Sequence, residues 1–129
     1  MKDVNVRDLI GIPFKVHGRD KSGMDCYGVV IEFMHRAGIE FPDVFYDRIE
    51  GADESVKSTI LNGLPVEKID EPEYGCLVDI NLYTGIHVGV YLGGGSFIHA
   101  TRDMGVCVQK VERFRKAVKG YWRVKGQPQ

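Results

Sequence analysis

The stretch HVGVYLGGGSFIHA, residues 87–100, predicts a β-hairpin that carries two histidines on one face. The glycines at 93–95 supply the positive φ angles that a tight turn between two strands needs. His87 and His99 are 12 residues apart, and the midpoint between them falls in this glycine run. If the strands pair around a three-residue loop, side-chain alternation places His87 directly opposite His99. The two imidazoles then lie within reach of each other.

Two interpretations of this histidine-bearing face remain open. In the first, the histidines lie on an exposed face of the sheet and have no function. In the second, another part of the chain or a ligand approaches this face, because Gly89 and Gly95 belong to it and glycine in a strand often marks a close approach. The opposite face is mostly apolar and is expected to be buried; it carries Val88, Val90, Leu92, Ser96, Ile98 and Ala100.

The segment GMDCYG, residues 23–28, places a cysteine where an apolar helix begins. Asp25 is a good N-cap for the helix CYGVVIEFMHRA, residues 26–37, which Gly38 ends. Buried cysteine often behaves as a small hydrophobic residue, so Cys26 is either part of the core or a nucleophile. At a helix N-terminus the backbone dipole favours the thiolate.

The two motifs together predict a thiol-dependent catalytic site. An imidazole can take the proton of a thiol, and a polar group on its far nitrogen fixes its tautomer and orientation. We therefore assign Cys26 as the nucleophile, His87 as the general base and then acid, and His99 as the orienting group. The backbone N–H of Cys26 is the expected oxyanion donor.

Composition indicates a single domain, residues 1–129, of ordinary globular character. Hydrophobic residues make up 43% and charged residues 27% of the chain, and the net charge of −1 gives no indication of nucleic-acid or membrane partners. Three widely spaced cysteines argue against a disulfide framework, and no ligand spacing indicates a metal. No secretory signal is visible, so we expect synthesis in the cytoplasm.

The rest of the pattern predicts an α+β fold, with N-terminal helices packed on a mostly antiparallel sheet of five to six strands. Short helices are expected at 4–10, 53–62 and 112–118. Strands are expected at 76–82, 87–92, 96–101, 105–111 and 121–124.

The segments GMDCYGVV, HVGVYLGGGSFIHA and GYWRV resemble the NlpC-type, papain-like cell-wall cysteine peptidases, over residues 11–124. The longer form GIPFKVHGRDKSGMDCYGVV is most similar to members encoded in phage and prophage tail modules. The resemblance implies a papain-like fold and cleavage of peptidoglycan stem peptides, commonly between D-glutamate and the diamino acid. It implies no metal or organic cofactor, and its Cys-His-His set maps onto Cys26, His87 and His99.

Departures from the family pattern define the other candidate residues. Phe14 stands where the family usually has tyrosine, His17 where glycine is common, and Tyr27 where serine is common. Asp25 is placed beside the cleft by the resemblance, although its first role is that of a helix cap. The substrate-binding candidates are Phe14, His17, Arg19, Asp25 and Tyr27. Cys76 and Cys107 are expected to be unreactive strand-core thiols.

Three functions fit these observations. The first is a peptidoglycan endopeptidase that works through an acyl-enzyme on Cys26. The second is a non-catalytic phage tail or assembly protein that keeps the same fold but binds wall peptide or a partner without cutting it. The absence of a hydroxyl at Phe14, where the family usually has tyrosine, favours this alternative. The third is acyl transfer to an amine or lipid. The substrate lies beyond the membrane, so we expect the protein to be carried in a virion tail or released onto the cell wall.

Overall fold

The computed structural model describes residues 1–43, 63–82 and 85–126. A single turn of 3-10 helix, Arg7–Leu9, precedes a small hairpin of β1 (Arg19–Asp20) and β2 (Gly23–Met24), and then comes α1 (Cys26–Arg36). A second 3-10 segment, Val111–Phe114, precedes the last strand. The other strands are β3 (Val66–Ile69), β4 (Leu77–Leu82), β5 (Gly85–Gly93), β6 (Ser96–Thr101), β7 (Gly105–Lys110) and β8 (Val118–Val124).

Six strands form one antiparallel sheet in the order β3-β8-β4-β5-β6-β7. Helix α1 packs against β5 and β6 in the middle of that order. The predicted α+β architecture, with a helical N-terminal part on a mostly antiparallel sheet, is therefore confirmed.

The two faces of the sheet are buried against different parts of the chain. The helix face packs against α1 and contributes Leu77, Val88, Val90, Ile98 and Ala100 to the main core. The opposite face, which we call the histidine face, carries a smaller cluster of Val78, Ile80 and Phe97. Residues of the 3-10 segment and of the neighbouring strand β8 pack against this cluster, among them Phe114, Val118 and Tyr121. The alternation predicted for residues 87–100 is thus confirmed.

Several predicted elements differ from the structure. The expected helix at 4–10 is only the turn Arg7–Leu9, because Gly11, at φ +93°, turns the chain and donates to the Val106 carbonyl. The expected helix at 112–118 is the 3-10 segment, and a turn at 115–117 leads from it into β8. Strand β3 was not predicted, and the helix predicted at 53–62 lies outside the described residues.

Gly28 lets the loop before α1 approach the helix closely. A Cβ atom at this position would lie 2.2 Å from the carbonyl oxygen of Gly18. The Asp25 carboxylate accepts a hydrogen bond from the Gly28 N–H at 2.7 Å and caps the helix. The sequence Asp25-Cys26-Tyr27-Gly28 therefore has a structural reason: the aspartate caps the helix, and the glycine makes room for the preceding loop.

Candidate active site

The two predicted histidines are in contact. Nε2 of His87 lies 2.6 Å from Nδ1 of His99, and the rings meet edge to face at a centroid distance of 4.9 Å. His99 is fully buried and His87 is 7% exposed. The interpretation that these residues decorate an exposed sheet face is therefore wrong.

The register of the hairpin differs from the predicted one by two residues. Val90 pairs with Ile98 and Tyr91 with Phe97, so continuing the register by one residue places His99 across from Gly89 rather than His87. A Cβ on Gly89 would lie 2.7 Å from a ring carbon of Phe97 and 2.8 Å from the Ile98 carbonyl oxygen, which explains the need for glycine there. A shift by two residues keeps every side chain on its face, so the histidines remain neighbours along a diagonal.

The His99 ring packs among aromatic side chains, and one of its nitrogens contacts a side-chain amide. Phe97 lies 4.3 Å and Phe114 5.8 Å from the ring, measured between centroids. Its Nε2 lies 2.7 Å from Oε1 of Gln109. Burial lowers the pKa of His99 below its ordinary value, and the Gln109 contact opposes this shift. The ring is therefore held neutral by its surroundings.

Gln109 is a site residue that the sequence did not reveal. It lies on β7, where Cys107 pairs with His99 and Gln109 pairs with Phe97. Because side chains alternate, Gln109 and His99 share a face and meet along a diagonal. The sequence does show that Gln109 lies two residues after Cys107 and so on the same face of β7. This spacing places Gln109 near His99 only when the β6–β7 register is known.

Cys26 is the first residue of α1 and is half-buried, and its thiol lies beside the backbone N–H of Val88. Val88 follows His87 in β5, on a stretch beyond the described pairing of β5 with β6. Burial raises the pKa of Cys26 to about 11, although the N–H groups of Val88 and Tyr27 lower it. The helix terminus was expected to favour the thiolate, but the cost of burying the charge is larger.

The loop before α1 is tied to the helix by charged side chains. Arg19 donates to Asp25 at 2.8 Å and, from its other side, to Asp43 at 2.9 Å. Asp25 also accepts from the backbone N–H of His17 at 2.9 Å, and the exposed His17 has a left-handed φ of +61°. Arg19 and Asp25 therefore hold the segment that leads into Cys26.

The sequence pattern of the NlpC/P60 family matches residues 11–123. The chain belongs to the NlpC/P60 family.

The chain is similar to several known proteins. The murein DD-endopeptidase MepS/murein LD-carboxypeptidase of Escherichia coli K12 is 27% identical over 121 residues, which cover 90% of this chain and 53% of that protein. This chain thus spans about half the length of the curated relatives that it matches. The NlpC/p60 domain of the peptidoglycan hydrolase SagA superposes with a TM-score of 0.56 at 26% identity, over 89% and 88% of the two chains. A Staphylococcus aureus NLP/P60 protein, similar to a lipoprotein, gives a TM-score of 0.64 at 22% identity, over 92% and 38%.

At the family tyrosine position, Phe14 is half-buried against the core. The Arg102 guanidinium lies 4.9 Å from the centroid of its ring. Tyr27, at the family serine position, is fully buried, and its hydroxyl donates to the Pro42 carbonyl. The burial of Tyr27 gives it a packing role, and its predicted part in substrate binding stays a prediction.

The NlpC/P60 domain shows no cluster suited to a metal within residues 1–43, 63–82 and 85–126, where no three His, Cys, Asp or Glu side chains converge. In the same residues, no helix has the length and apolar character needed to cross a membrane. Cys76 is buried, as expected for a core thiol, whereas Cys107 is only half-buried.

Proposed function

We propose that this protein is a cysteine peptidase that hydrolyses amide bonds in the stem peptides of peptidoglycan. The buried contact between His87 and His99 carries this proposal, because it lies one residue from the strand position that borders the Cys26 thiol. Family membership supports the substrate class, since MepS is named a murein endopeptidase and SagA a peptidoglycan hydrolase.

In the proposed reaction, the Cys26 sulfur attacks the carbonyl carbon of the scissile amide while His87 takes the thiol proton. The backbone N–H of Cys26 donates to the developing oxyanion. His87 then gives its proton to the leaving nitrogen, the C–N bond breaks, and the acyl group remains on sulfur as a thioester. A water molecule then attacks the thioester carbonyl carbon while His87 takes a proton from the water. The C–S bond breaks and His87 returns this proton to the Cys26 sulfur, which releases the carboxylic acid and restores the thiol.

Because the pKa of Cys26 is raised, we place the loss of its thiol proton in the same step as the attack of the sulfur on the carbonyl carbon. A thiol with a pKa of about 11 is neutral at pH 7, so the resting site holds a thiol and not a preformed thiolate. General-base catalysis by His87 supplies the thiolate as the new bond forms. His99 holds the His87 ring in place through the 2.6 Å contact.

The proposed scissile bond joins D-glutamate to the diamino acid, as the family resemblance implies. Synthetic stem peptides test the bond directly when the products are identified by mass spectrometry. The set of peptides offers three bonds: the D-glutamyl bond to the diamino acid, a D-alanyl cross-link and a terminal D-alanine. The last two are included because MepS is named a DD-endopeptidase and an LD-carboxypeptidase. Cleavage on the amino side of the diamino acid supports the proposal, whereas cleavage of only a D-alanyl bond overturns this assignment.

A second candidate is a non-catalytic phage tail or assembly protein that keeps the same fold but only binds wall peptide or a partner. The specific observation that favours it is Phe14, which brings no hydroxyl to the family tyrosine position and packs against Arg102 instead. A folded protein that binds stem peptides but cleaves none of them supports this candidate over the peptidase.

A place in a phage tail is a further part of the proposal. It is supported by the similarity of residues 11–30 to tail-module members, and it brings the protein to a substrate outside the membrane. Neighbouring tail genes and the presence of the chain in purified virions test it. A chromosomal setting among cell-wall genes instead favours a host role.

A further inference from the structure

We infer that Gln109 is a positioning residue that holds both site histidines in one tautomer, in which Nδ1 of His87 carries no proton. The inference rests on the proposed function, because the acceptor matters only if Cys26 gives up its proton there. Three side chains carry it: Gln109 on β7, His99 on β6 and His87 on β5. They form a continuous line across neighbouring strands.

The direction of the hydrogen bonds follows from the first contact in this line. The Gln109 Oε1 atom accepts hydrogen bonds and cannot donate, and it lies 2.7 Å from Nε2 of His99. His99 must therefore carry its proton on Nε2. A neutral imidazole has one N–H, so the Nδ1 of His99 is an acceptor.

The second contact, between His99 and His87, then fixes which nitrogen of His87 donates. The acceptor Nδ1 of His99 lies 2.6 Å from Nε2 of His87, so His87 must donate from Nε2. Its own Nδ1 then carries no proton while the ring is neutral. In this tautomer, Nδ1 is the nitrogen of His87 that can act as a base.

The opposite orientation of the Gln109 amide has the opposite consequence. An NH2 group facing His99 would move the His99 proton to Nδ1 and make Nε2 of His87 an acceptor. The His87 proton would then occupy Nδ1 and block the base. A second donor supports the oxygen-inward orientation, because the Cys107 sulfur lies 3.7 Å from the same Oε1 atom.

Neutrality of His99 is the other requirement, since an imidazolium donates from both nitrogens. Burial among Phe97 and Phe114 lowers the pKa of His99 and keeps the ring neutral. The titratable groups that contact or pair with it are His87 and Cys107, and the Cys107 thiol is uncharged because burial raises its pKa. Gln109 thus sets the tautomer without adding a charge.

The test combines a tautomer measurement with activity. NMR of the protein labelled with 15N-histidine identifies which ring nitrogen carries the proton, and single histidine substitutions assign the signals. We expect the Nε2–H form for both His87 and His99. Protonation of His99 at Nδ1 in the unsubstituted protein overturns the inference, whether or not the protein hydrolyses peptides.

Three variants separate positioning from simple packing. Gln109→Leu keeps the bulk but removes the acceptor, so we expect mixed His99 tautomers and a loss of kcat of roughly tenfold or more. Gln109→Glu keeps an acceptor-only oxygen and should retain the Nε2–H form of His99 at alkaline pH. Lys110→Ala, at the exposed next position of β7, is the control and should change neither. An unchanged tautomer and rate in a folded Gln109→Leu protein contradict the inference.

The NMR result is independent of the proposed function. If the predicted tautomers are found in a protein that cleaves nothing, the peptidase proposal fails and the positioning role of Gln109 stands. If the protein cleaves stem peptides but His99 carries its proton on Nδ1, the positioning role fails and the peptidase proposal stands.

Discussion

His87 and His99 form a hydrogen bond between Nε2 of His87 and Nδ1 of His99, at 2.6 Å, although the two residues lie along a diagonal of the β5–β6 pair and not directly opposite each other. Gly89, which the register places across from His99, lets Phe97 and the backbone of Ile98 on β6 approach β5 closely. The contact gives the His87 ring one fixed orientation. Its value for catalysis lies in that orientation, because a general base must meet its proton at hydrogen-bond distance.

Removing the ring of His99 should lower the rate much more than it weakens substrate binding. We expect His99→Ala to reduce kcat for stem-peptide hydrolysis by roughly 10²–10⁴-fold, because the base loses its orienting partner. His99→Asn keeps a polar side chain and should lose less. The exposed His35 on α1 offers the control His35→Ala, which should match the unsubstituted protein. Equal rates for His99→Ala and the control would remove His99 from the mechanism.

The buried His99 should make the protein less stable in mild acid. Its pKa is lowered in the folded state, whereas the unfolded chain has the ordinary value of about 6.5. Below that pH the unfolded chain takes up a proton that the folded protein does not, so the free energy of unfolding falls. This contribution is complete above pH 6.5 and is lost as the pH falls through the folded pKa.

Urea unfolding between pH 8 and pH 5 measures this effect when His99→Asn is compared with the unsubstituted protein. The variant should lose less stability over the same range, because it lacks the group that titrates. Titrating residues that do not contact His99 contribute equally to both proteins and cancel in the difference, so the difference reports on His99 and on His87, which is hydrogen-bonded to it. Parallel stability curves would show that His99 has the same pKa in the folded and unfolded states.

Cys26 should stay protonated in the resting protein at neutral pH. Since burial raises its pKa to about 11, alkylation by iodoacetamide should rise steadily from pH 7 to pH 10. Mass spectrometry of the digested protein separates Cys26 from Cys76 and Cys107, and the unfolded protein provides the reference for an ordinary thiol. A rate for Cys26 that is already constant below pH 7 would indicate a thiolate–imidazolium pair and contradict the neutral resting state.

Gly28 should be sensitive to the addition of a single methyl group. Gly28→Ala places a Cβ 2.2 Å from the Gly18 carbonyl oxygen, so the loop must move away from the helix. We expect a loss of stability of about 1–3 kcal/mol. Gly63→Ala is the matched control, because its Cβ would meet nothing within 4 Å. Thermal unfolding measures both, and equal midpoints would show that the loop accommodates the methyl group easily.

The helix and the two faces of the hairpin could be predicted because their signals are local. Asp25 caps α1 through the Gly28 N–H, three residues away. Alternation along residues 87–100 sorts the histidines from the valines whatever the exact register. Those two patterns were enough to nominate Cys26, His87 and His99.

The register could not be predicted, because three consecutive glycines allow more than one way to close the loop. All three have positive φ, and the chain turns at 94–95 with an irregularity between Tyr91 and Gly93. Strand β3 was missed because it is short, carries the exposed Glu67 and Lys68, and pairs with β8, far away in the sequence. Gln109 was missed for a related reason: its contact with His99 depends on the β6–β7 register.

Digestion of purified peptidoglycan tests the central claim most directly. The new amino groups released by the unsubstituted protein, by Cys26→Ala and by the core-thiol control Cys76→Ala are labelled and counted. We predict release by the unsubstituted protein and by Cys76→Ala, and none by Cys26→Ala. Equal release by Cys26→Ala, or no release by any of the three folded proteins, would contradict hydrolysis through the Cys26 thiol.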